Sequence, residues 1–322
     1  MRDLRNATMV IAGASSGIGR AAALAFAREG ANVVVLARRE DALDDVAAAC
    51  RKLGVRALAL PTDVRDAAAV RAAAVQAAKV TGRIDVWINN AGVGAVGRFT
   101  DTPIEVHDAT VQTNLLGYMH GAHAVLPYFQ RQTTGGVLIN TLSFGAWVPA
   151  PFAAAYSASK FGLRGFSDAL RAELGGYPRV HVCDVFPSFM DTPGVQHAGN
   201  YTGRALKPAP PLYPAERAAR AMVELARNPR NSVTVGSIAT LARVGYAVAP
   251  GIARWVMRNF IETYLAQAKP ASNTSGGVLR PVREGQGAGG GWRKPGKRVL
   301  VGSVALTVAA AFAGFVLARR RS

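Results

Sequence analysis

The residues best suited to chemistry are Tyr156 and Lys160, four positions apart in the run YSASK, with Ser143 thirteen residues before the tyrosine. A spacing of four places both side chains on one face of a helix. An ammonium beside a phenol favours the phenolate and lowers a pKa that is ordinarily about 10. Tyr156 is therefore predicted to exchange a proton with a carbonyl or alcohol oxygen that Ser143 also holds. Such pairs also occur on ordinary amphipathic helices, so the surrounding elements must decide.

A glycine-rich turn near the amino terminus is the first of these elements. Residues 8–13 are typical of a short buried strand, and an alanine-rich helix follows to about Glu29, with the run GASSGIG at their junction. Glycines let the backbone approach a pyrophosphate, and a helix amino terminus offers free N–H groups. The order predicts a dinucleotide site, with an ordinary tight turn as the alternative. The residues predicted to form this site are Gly13, Ser15, Ser16, Gly17, Ile18 and Gly19.

The end of the second predicted strand bears on the choice of cofactor. Residues 32–37 form an apolar run that ends in Arg38 and Arg39, and no acid occupies positions 36 to 38. In dinucleotide folds an acid at this point takes the ribose hydroxyls of NAD, whereas an arginine accommodates the 2′-phosphate of NADP. Arg38, with help from Ser15 and Arg39, therefore predicts NADP(H) in preference to NAD(H). A solvated charge pair at a strand end is the alternative.

Strands and helices alternate through the first 237 residues. Further strands are predicted at 56–60, 84–90, 136–141, 180–186 and 232–236, and helices at about 40–53, 66–80, 103–131, 153–174 and 214–227. This order predicts an α/β fold, a Rossmann-type doubly wound parallel sheet with helices on both faces. Ligands of such sheets bind at the carboxyl ends of the strands. The residues at those ends include Asp63, Asn90, Ser143 and Pro187.

Together these motifs resemble the short-chain dehydrogenase/reductase family in its compact form, over residues 7 to about 237. The resemblance places a catalytic tetrad on Asn114, Ser143, Tyr156 and Lys160. It implies that the lysine also binds the nicotinamide ribose and that the asparagine holds a water of a proton relay. The cofactor-binding residues that the resemblance adds are Asp63, Val64, Asn90, Ala91, Gly92, Tyr156, Lys160, Pro187 and Thr192.

The resemblance implies an oxidoreductase that interconverts a secondary alcohol and a ketone by hydride transfer, with Tyr156 as the acid or base. It also implies a homodimer or tetramer paired through the helices at 103–131 and 153–174, and no metal. His120 and His123 lie three apart on a predicted helix but lack a third ligand, so packed positions are expected. Three departures from the family pattern remove no reacting group: Ala12, Leu142 and Ser188. The last of these is expected to reshape the nicotinamide pocket.

The last third of the chain departs from the family core. Residues 238–268 are apolar at helical spacing and predict two amphipathic helices that cap the pocket, lie on a membrane or cover the domain core. Residues 269–298 are rich in Gly, Pro, Ser and Arg and predict a flexible basic linker. The charge-free run 299–318 is long enough for one transmembrane helix, a carboxyl-terminal anchor followed by the basic tail 319–322.

The charge distribution points to the same partner. The formal net charge is +18, and half of it lies from residue 269 onward, where ten Lys or Arg accompany one Glu. Because the sequence has no nucleic-acid motif, membrane lipids are the expected partner and nucleic acid is not. Two cysteines, Cys50 and Cys183, indicate a reducing compartment, and the amino terminus lacks a signal-peptide pattern. We therefore expect the catalytic domain in the cytoplasm, held at a membrane.

Three functions stay open at this point. The leading one is a membrane-anchored NADP(H)-dependent oxidoreductase for a lipophilic substrate, such as a sterol, acyl chain or isoprenoid. The second is a 3-oxoacyl-thioester reductase that is merely tethered. The third is an NADPH-binding membrane scaffold without turnover, against which the complete tetrad argues.

Overall fold

The computed structural model describes residues 3–293 and is built on strands that alternate with helices. The strands are β1 (Thr8–Ala12), β2 (Asn32–Ala37), β3 (Ala57–Pro61), β4 (Val86–Asn89), β5 (Ala95–Gly97), β6 (Gly136–Thr141), β7 (Val180–Pro187), β8 (Met190–Asp191), β9 (Gly199–Tyr201), β10 (Tyr213–Pro214) and β11 (Ser232–Val235). The helices are α1 (Gly17–Arg28), α2 (Glu40–Arg51), α3 (Ala67–Ala78), α4 (Ile104–Val111), α5 (Gly117–Arg131), α6 (Ala154–Glu173), α7 (Ala215–Arg227), α8 (Ser237–Val248) and α9 (Pro250–Gln267).

Seven of the strands form one sheet in the order β11-β7-β6-β4-β1-β2-β3, and every neighbouring pair is parallel. Each lies within two residues of the range predicted from sequence. The order of the strands reverses between β1 and β4, and in doubly wound sheets a ligand crevice forms at such a switch point. The predicted Rossmann-type sheet is confirmed.

Both faces of the sheet are covered by helices. Successive side chains of a strand point to opposite faces, so each strand contributes to two apolar layers. Met9 of β1 is fully buried with Phe26 of α1 and Met222 of α7 on one face. Val10, the next residue, is fully buried on the other face in a cluster that includes Phe129 of α5. Two apolar layers therefore fix the strands, and with them the positions of the residues at their carboxyl ends.

The helix predicted at 103–131 is interrupted. A single π-helical turn, Gln112–Leu116, separates α4 from α5 and carries Asn114. Such turns insert one residue into a helix and are frequent at functional sites. The turn changes the direction in which Asn114 projects, which an uninterrupted helix would not achieve.

After the sheet, the two helices predicted in 238–268 are present as α8 and α9, which form a helical hairpin that breaks at Ala249 and Pro250. The guanidinium of Arg243 in α8 lies 4.0 Å from the centre of the Trp147 ring, which ties the hairpin to the domain. Residues of α9 line the cavity described below. Of the three alternatives for this segment, capping of the pocket is therefore the one that the packing supports.

The segment predicted as a flexible linker packs against the domain over its described part, residues 269–293. Val278 is fully buried in a small cluster with Val106 and Ala109 of α4. Asn200 and Thr274 exchange two backbone hydrogen bonds of 2.8 and 2.9 Å. Glycine and proline content indicated flexibility, but one buried valine and these backbone bonds hold the segment in place.

Among the helices within residues 3–293, none is both long and apolar enough to span a bilayer. The predicted transmembrane run 299–318, the end of the linker and the basic tail lie outside the described residues. The anchor therefore stays a prediction.

Candidate active site

The glycine turn after β1 has the geometry that its sequence predicted. Gly13 and Gly17 have φ of +76° and +55°, in the left-handed region that favours glycine. A Cβ on Gly13 would lie 2.5 Å from the Ala91 Cα, and one on Gly19 would overlap the Gly13 carbonyl oxygen. Gly13 and Gly19 leave no room for a side chain, so no side chain at these positions separates the backbone of the turn from a dinucleotide.

The end of β4 completes this part of the site across the switch point. The Asn90 side-chain amide donates to the Gly13 carbonyl at 3.1 Å. Asn89, by contrast, is buried and bonds the Trp87 indole at 2.8 Å and the Asn140 side chain at 3.0 Å. Asn90, Ala91 and Gly92 therefore face the ligand crevice, while Asn89 supports the strand from behind.

Two charged residues stand at the adenosine end. The Arg38 guanidinium is half-buried, which lowers its pKa, and it donates to the Gly277 carbonyl at 2.7 Å. Burial raises the pKa of Asp63, but hydrogen bonds from Arg65, one of them 2.6 Å long, outweigh that effect and leave it below its ordinary value. Both groups are therefore charged at neutral pH. Arg65 was not predicted from sequence.

Tyr156, the predicted proton-transfer group, lines the cavity described below. Burial raises the pKa of Tyr156, and a hydrogen bond with Ser143 opposes that rise. The four-residue spacing between Tyr156 and Lys160 had predicted a lowered pKa for the phenol. That prediction was wrong for the protein alone, because loss of water around the phenol outweighs the opposing hydrogen bond. The Ser143 hydroxyl also accepts from the Gly145 amide at 3.0 Å, which fixes its position.

Lys160 is buried beneath the tyrosine. Its ammonium donates to the Thr141 carbonyl at 3.0 Å and lies 5.9 Å from the Tyr156 ring centre. Burial lowers the pKa of Lys160 from 10.5 to about 7. The ring of Tyr118 lies 5.0 Å from the same ammonium, and its hydroxyl donates to the same Thr141 carbonyl. Tyr118 was not predicted because one tyrosine on a helix carries no pattern.

Asn114 is fully buried on the π-helical turn. Its side-chain oxygen accepts from the Val93 amide at 2.9 Å, and its amide donates to the Val93 carbonyl at 2.8 Å and to the Ser159 hydroxyl at 3.2 Å. Both amide hydrogens are thus used inside the protein. The side chain ties α4–α5 to the loop after β4 and to the helix that carries Tyr156 and Lys160.

The loop after β7 closes the opposite wall. Thr192 caps a short helical turn, and a Cβ on Gly17 would meet its methyl-bearing side chain at 3.4 to 3.5 Å. Ser188 is buried, and among residues 3–293 its hydroxyl has no hydrogen-bond partner, as is also true of the Thr141 hydroxyl. Both residues line the cavity. Two such buried hydroxyls fit a site that receives a polar ligand.

One cavity of about 620 Å³ joins these groups. All the predicted site residues line it except Gly19 and Asn114, which lie behind its wall. Its far end is apolar, with Phe144, Phe189 and one face of α9. The α9 residues at this wall are Met257, Phe260, Ile261, Tyr264 and Leu265. Their spacing of three and four was visible in the sequence, but which surface they face was not.

Of the two histidines expected to be packed, His120 is partly buried and His123 is exposed. His120 bonds the Val64 carbonyl at 2.9 Å, which holds α5 against the start of α3. Within residues 3–293, no group of three or more His, Cys, Asp or Glu side chains could hold a metal ion.

Comparison with known proteins decides the family. The profile of the short chain dehydrogenase family matches residues 7–201, more than half of the chain. The chain belongs to the short-chain dehydrogenase family. An uncharacterized oxidoreductase of Bacillus subtilis, YxnA, is 31% identical over 265 residues, which cover 81% of this chain and 74% of YxnA. The domain at residues 7–201 is thus that of an NAD(P)-dependent dehydrogenase or reductase.

Two further relatives mark the extent of the likeness. The probable oxidoreductase EphD of Mycobacterium tuberculosis is 41% identical over 182 residues, 56% of this chain. The match spans only 31% of EphD, less than a third of its length. A metagenomic short-chain oxidoreductase, solved in complex with NADP, superposes with a TM-score of 0.61 at 28% identity and covers 73% of this chain and 98% of its own.

Proposed function

We propose that this enzyme uses NADP(H) to interconvert a secondary alcohol and a ketone on a lipophilic substrate, a sterol, acyl chain or isoprenoid. The observation that carries the proposal is the continuity of the cavity. It runs from the glycine turn, past Tyr156 and Ser143, to the apolar wall formed by α9. A cofactor bound at the glycine turn and an apolar substrate bound against α9 can therefore both reach Tyr156.

The side chains supply the proton chemistry. A bound nicotinamide gives or takes the hydride at the carbon of the alcohol or ketone. Tyr156 gives a proton to the carbonyl oxygen in reduction and takes it from the hydroxyl in oxidation, and Ser143 holds that oxygen by a hydrogen bond. Lys160, when protonated, favours the phenolate that remains after reduction. Reduction of the ketone uses one hydride and one proton, and oxidation of the alcohol returns both.

The preference for NADP(H) is supported by Arg38. This residue directly follows β2, and its charged side chain lines the cavity at the end where the adenosine would bind. A guanidinium forms two parallel hydrogen bonds with a phosphate, which a ribose hydroxyl does not offer. The solved relative in complex with NADP is consistent with this cofactor.

The lipophilic substrate is supported by α9. Met257, Ile261 and Leu265 lie at spacings of four along one helix face and line the cavity. The hairpin also leaves large apolar side chains in solvent, with Val248 71% and Trp255 64% exposed. Exposed apolar groups beside an apolar pocket fit a substrate that arrives from a lipid surface.

We also propose that residues 299–318 anchor the enzyme in a membrane, with the catalytic domain in the cytoplasm, and that it forms a homo-oligomer. Ile104 on α4 and Leu116 on the π-helical turn have exposed apolar side chains, which support pairing of subunits through the region 103–131. Light scattering on the detergent-solubilised protein would test this, since a protein mass of one chain would contradict it.

The function is tested by following NADPH oxidation with a series of ketones of increasing alkyl length. Each methylene buried in the pocket adds up to about 0.8 kcal/mol, or about fourfold in kcat/KM. We expect kcat/KM to rise with length until the pocket is filled. Preference for small polar ketones would contradict the lipophilic substrate, and binding of NADPH without turnover on any ketone or acyl thioester would favour the scaffold.

A further inference from the structure

The segment after α9 crosses the dinucleotide end of the cavity, and we call residues 269–293 the strap. Its first anchor is the buried Val278. The second is Asp191, whose carboxylate accepts from the Gly290 amide at 3.1 Å and the Trp292 amide at 3.0 Å. From Gly277 onward the strap passes in front of the glycine turn, since Gly277, Pro281 and Val282 line the cavity.

From Gly277 to Gly287 the strap accepts hydrogen bonds from donors of the domain beside the glycine turn. Arg38 donates to the Gly277 carbonyl at 2.7 Å, and the Gly17 amide donates to the Gly287 carbonyl at 2.9 Å. Two further arginines donate to the strap in the same manner: Arg39 to the Arg283 carbonyl at 3.2 Å and Arg20 to the Gln286 carbonyl at 3.3 Å. In every case the domain supplies the donor and the strap supplies a carbonyl oxygen.

Phosphate oxygens need the same donors. The Gly17 amide, at the amino terminus of α1, has one hydrogen, so a carbonyl and a phosphate oxygen cannot both take it. A guanidinium has five, so Arg38 could share, but a carbonyl oxygen and a phosphate at one guanidinium edge repel each other. The strap thus presents acceptors where a dinucleotide presents acceptors.

We propose that the strap is an internal competitor of the dinucleotide, held on the Gly17 amide and Arg38 until the phosphates displace it. This inference rests on the proposed position of the dinucleotide. In this arrangement, binding of the cofactor and binding of the strap to the domain oppose each other. A change that holds the strap away from the domain therefore raises cofactor affinity.

The sequence of the strap suits local displacement. Five of the seven residues at 285–291 are glycine, and glycine adopts many backbone conformations at no steric cost. This stretch can therefore leave Gly17 while Val278 stays buried. The bonds to be broken involve the carbonyl oxygens of Gly277, Arg283, Gln286 and Gly287, and their loss is expected to loosen the neighbouring anchor on Asp191 while Val278 stays buried.

Hydrogen exchange on the full-length protein tests the direction of the coupling. Saturating NADPH is expected to speed exchange of the strap amides at 285–293, including Gly290 and Trp292, whose bonds to Asp191 would loosen. Slower exchange of these amides with NADPH would mean that the strap clamps the cofactor, and this would overturn the proposal. The measurement needs no variant, so it stands even where a substitution disturbs folding.

A matched pair of variants tests the affinity. Val278→Asp places a charge in the buried anchor and releases the strap, whereas Ser272→Asp places the same charge at an exposed strap position. We expect the dissociation constant of NADPH, measured by titration of its fluorescence, to fall about tenfold in Val278→Asp and to stay unchanged in Ser272→Asp.

Equal or weaker NADPH binding by a folded Val278→Asp protein would overturn the strap proposal alone. If neither the unaltered protein nor the variant binds NADPH or NADH, the dinucleotide assignment itself is wrong and the strap proposal falls with it. The two failures are therefore distinguishable from one set of titrations.

Discussion

The two ends of the cavity differ in whether backbone or side chains form their surface. At the dinucleotide end the surface is backbone, the turns after β1 and β4, held in register by the parallel sheet and by the Asn90 bond to the Gly13 carbonyl. At the substrate end the surface is side chain, the apolar face of α9. That helix is tied to the loop before β10 by Tyr264, whose hydroxyl accepts from the Lys207 amide at 2.6 Å.

The difference explains which end was predictable. A backbone surface needs glycine where φ is positive or where two chains nearly touch, so its residues are restricted to a recognisable pattern. An apolar wall needs only bulk, which Met, Ile, Leu and Phe all provide. We therefore expect substitutions at the dinucleotide end to change cofactor use sharply and those at the substrate end to change substrate range gradually.

The largest effect is expected where the two ends meet. Tyr156→Phe removes only the hydroxyl, so kcat should fall by about 10² to 10⁴ while NADPH affinity changes little. Tyr177→Phe is the matched control, because it removes a hydroxyl from an exposed tyrosine that does not line the cavity and should leave kcat within a few-fold. Retention of most of kcat by Tyr156→Phe in steady-state assays would show that Tyr156 is not the proton-transfer group.

Lys160 gives a prediction about stability. Its folded pKa is about 7 and its unfolded pKa about 10.5, so between these values the unfolded state binds more protons and stability rises with pH. Below pH 7 the buried charge costs the most, on the order of a few kcal/mol. Lys160→Met should therefore raise the melting temperature of the cofactor-free protein at pH 6, with a gain that shrinks towards pH 10. A gain independent of pH would contradict the burial of a charge.

Not all of the dinucleotide end could be predicted. The glycine turn and the tetrad followed from residue types, whereas the π-helical turn that carries Asn114 depends on packing and leaves no pattern in the sequence. The raised pKa of Tyr156 also depends on burial, which sequence spacing does not report. The strap has the composition of a linker, and its first anchor, Val278, is recognisable only from its contact with the cluster of Val106, 172 positions earlier.

Arg38 tests the dinucleotide end more finely. Arg38→Asp replaces a phosphate partner with an acceptor for ribose hydroxyls, and hydrogen bonds to charged groups are worth about 1.5–3 kcal/mol. We expect the ratio of kcat/KM for NADPH over NADH to fall by about ten- to a hundredfold. Arg71→Asp, an equal charge change at an exposed position of α3 away from the cavity, is the control. An unchanged ratio in steady-state assays would make Arg38 a surface charge.

The substrate end should respond most mildly, and Ile261 is the place to test it. Ile261 lines the cavity and is partly buried, whereas Thr263 on the same helix is exposed and does not line it. Ile261→Trp adds bulk to the wall and should shorten the longest ketone that fits, while Thr263→Trp adds the same ring to solvent.

On ketones shorter than the optimum, kcat/KM of Ile261→Trp should stay within about threefold of the unaltered enzyme, because the dinucleotide end and Tyr156 are untouched. On longer ketones each methylene that no longer fits removes a gain of up to about 0.8 kcal/mol. The alkyl length at which kcat/KM reaches its maximum should therefore be shorter, with NADPH affinity unchanged. If both tryptophan variants shift the curve equally, or neither does, α9 is not the wall that limits the substrate, and the contrast between the two ends is lost.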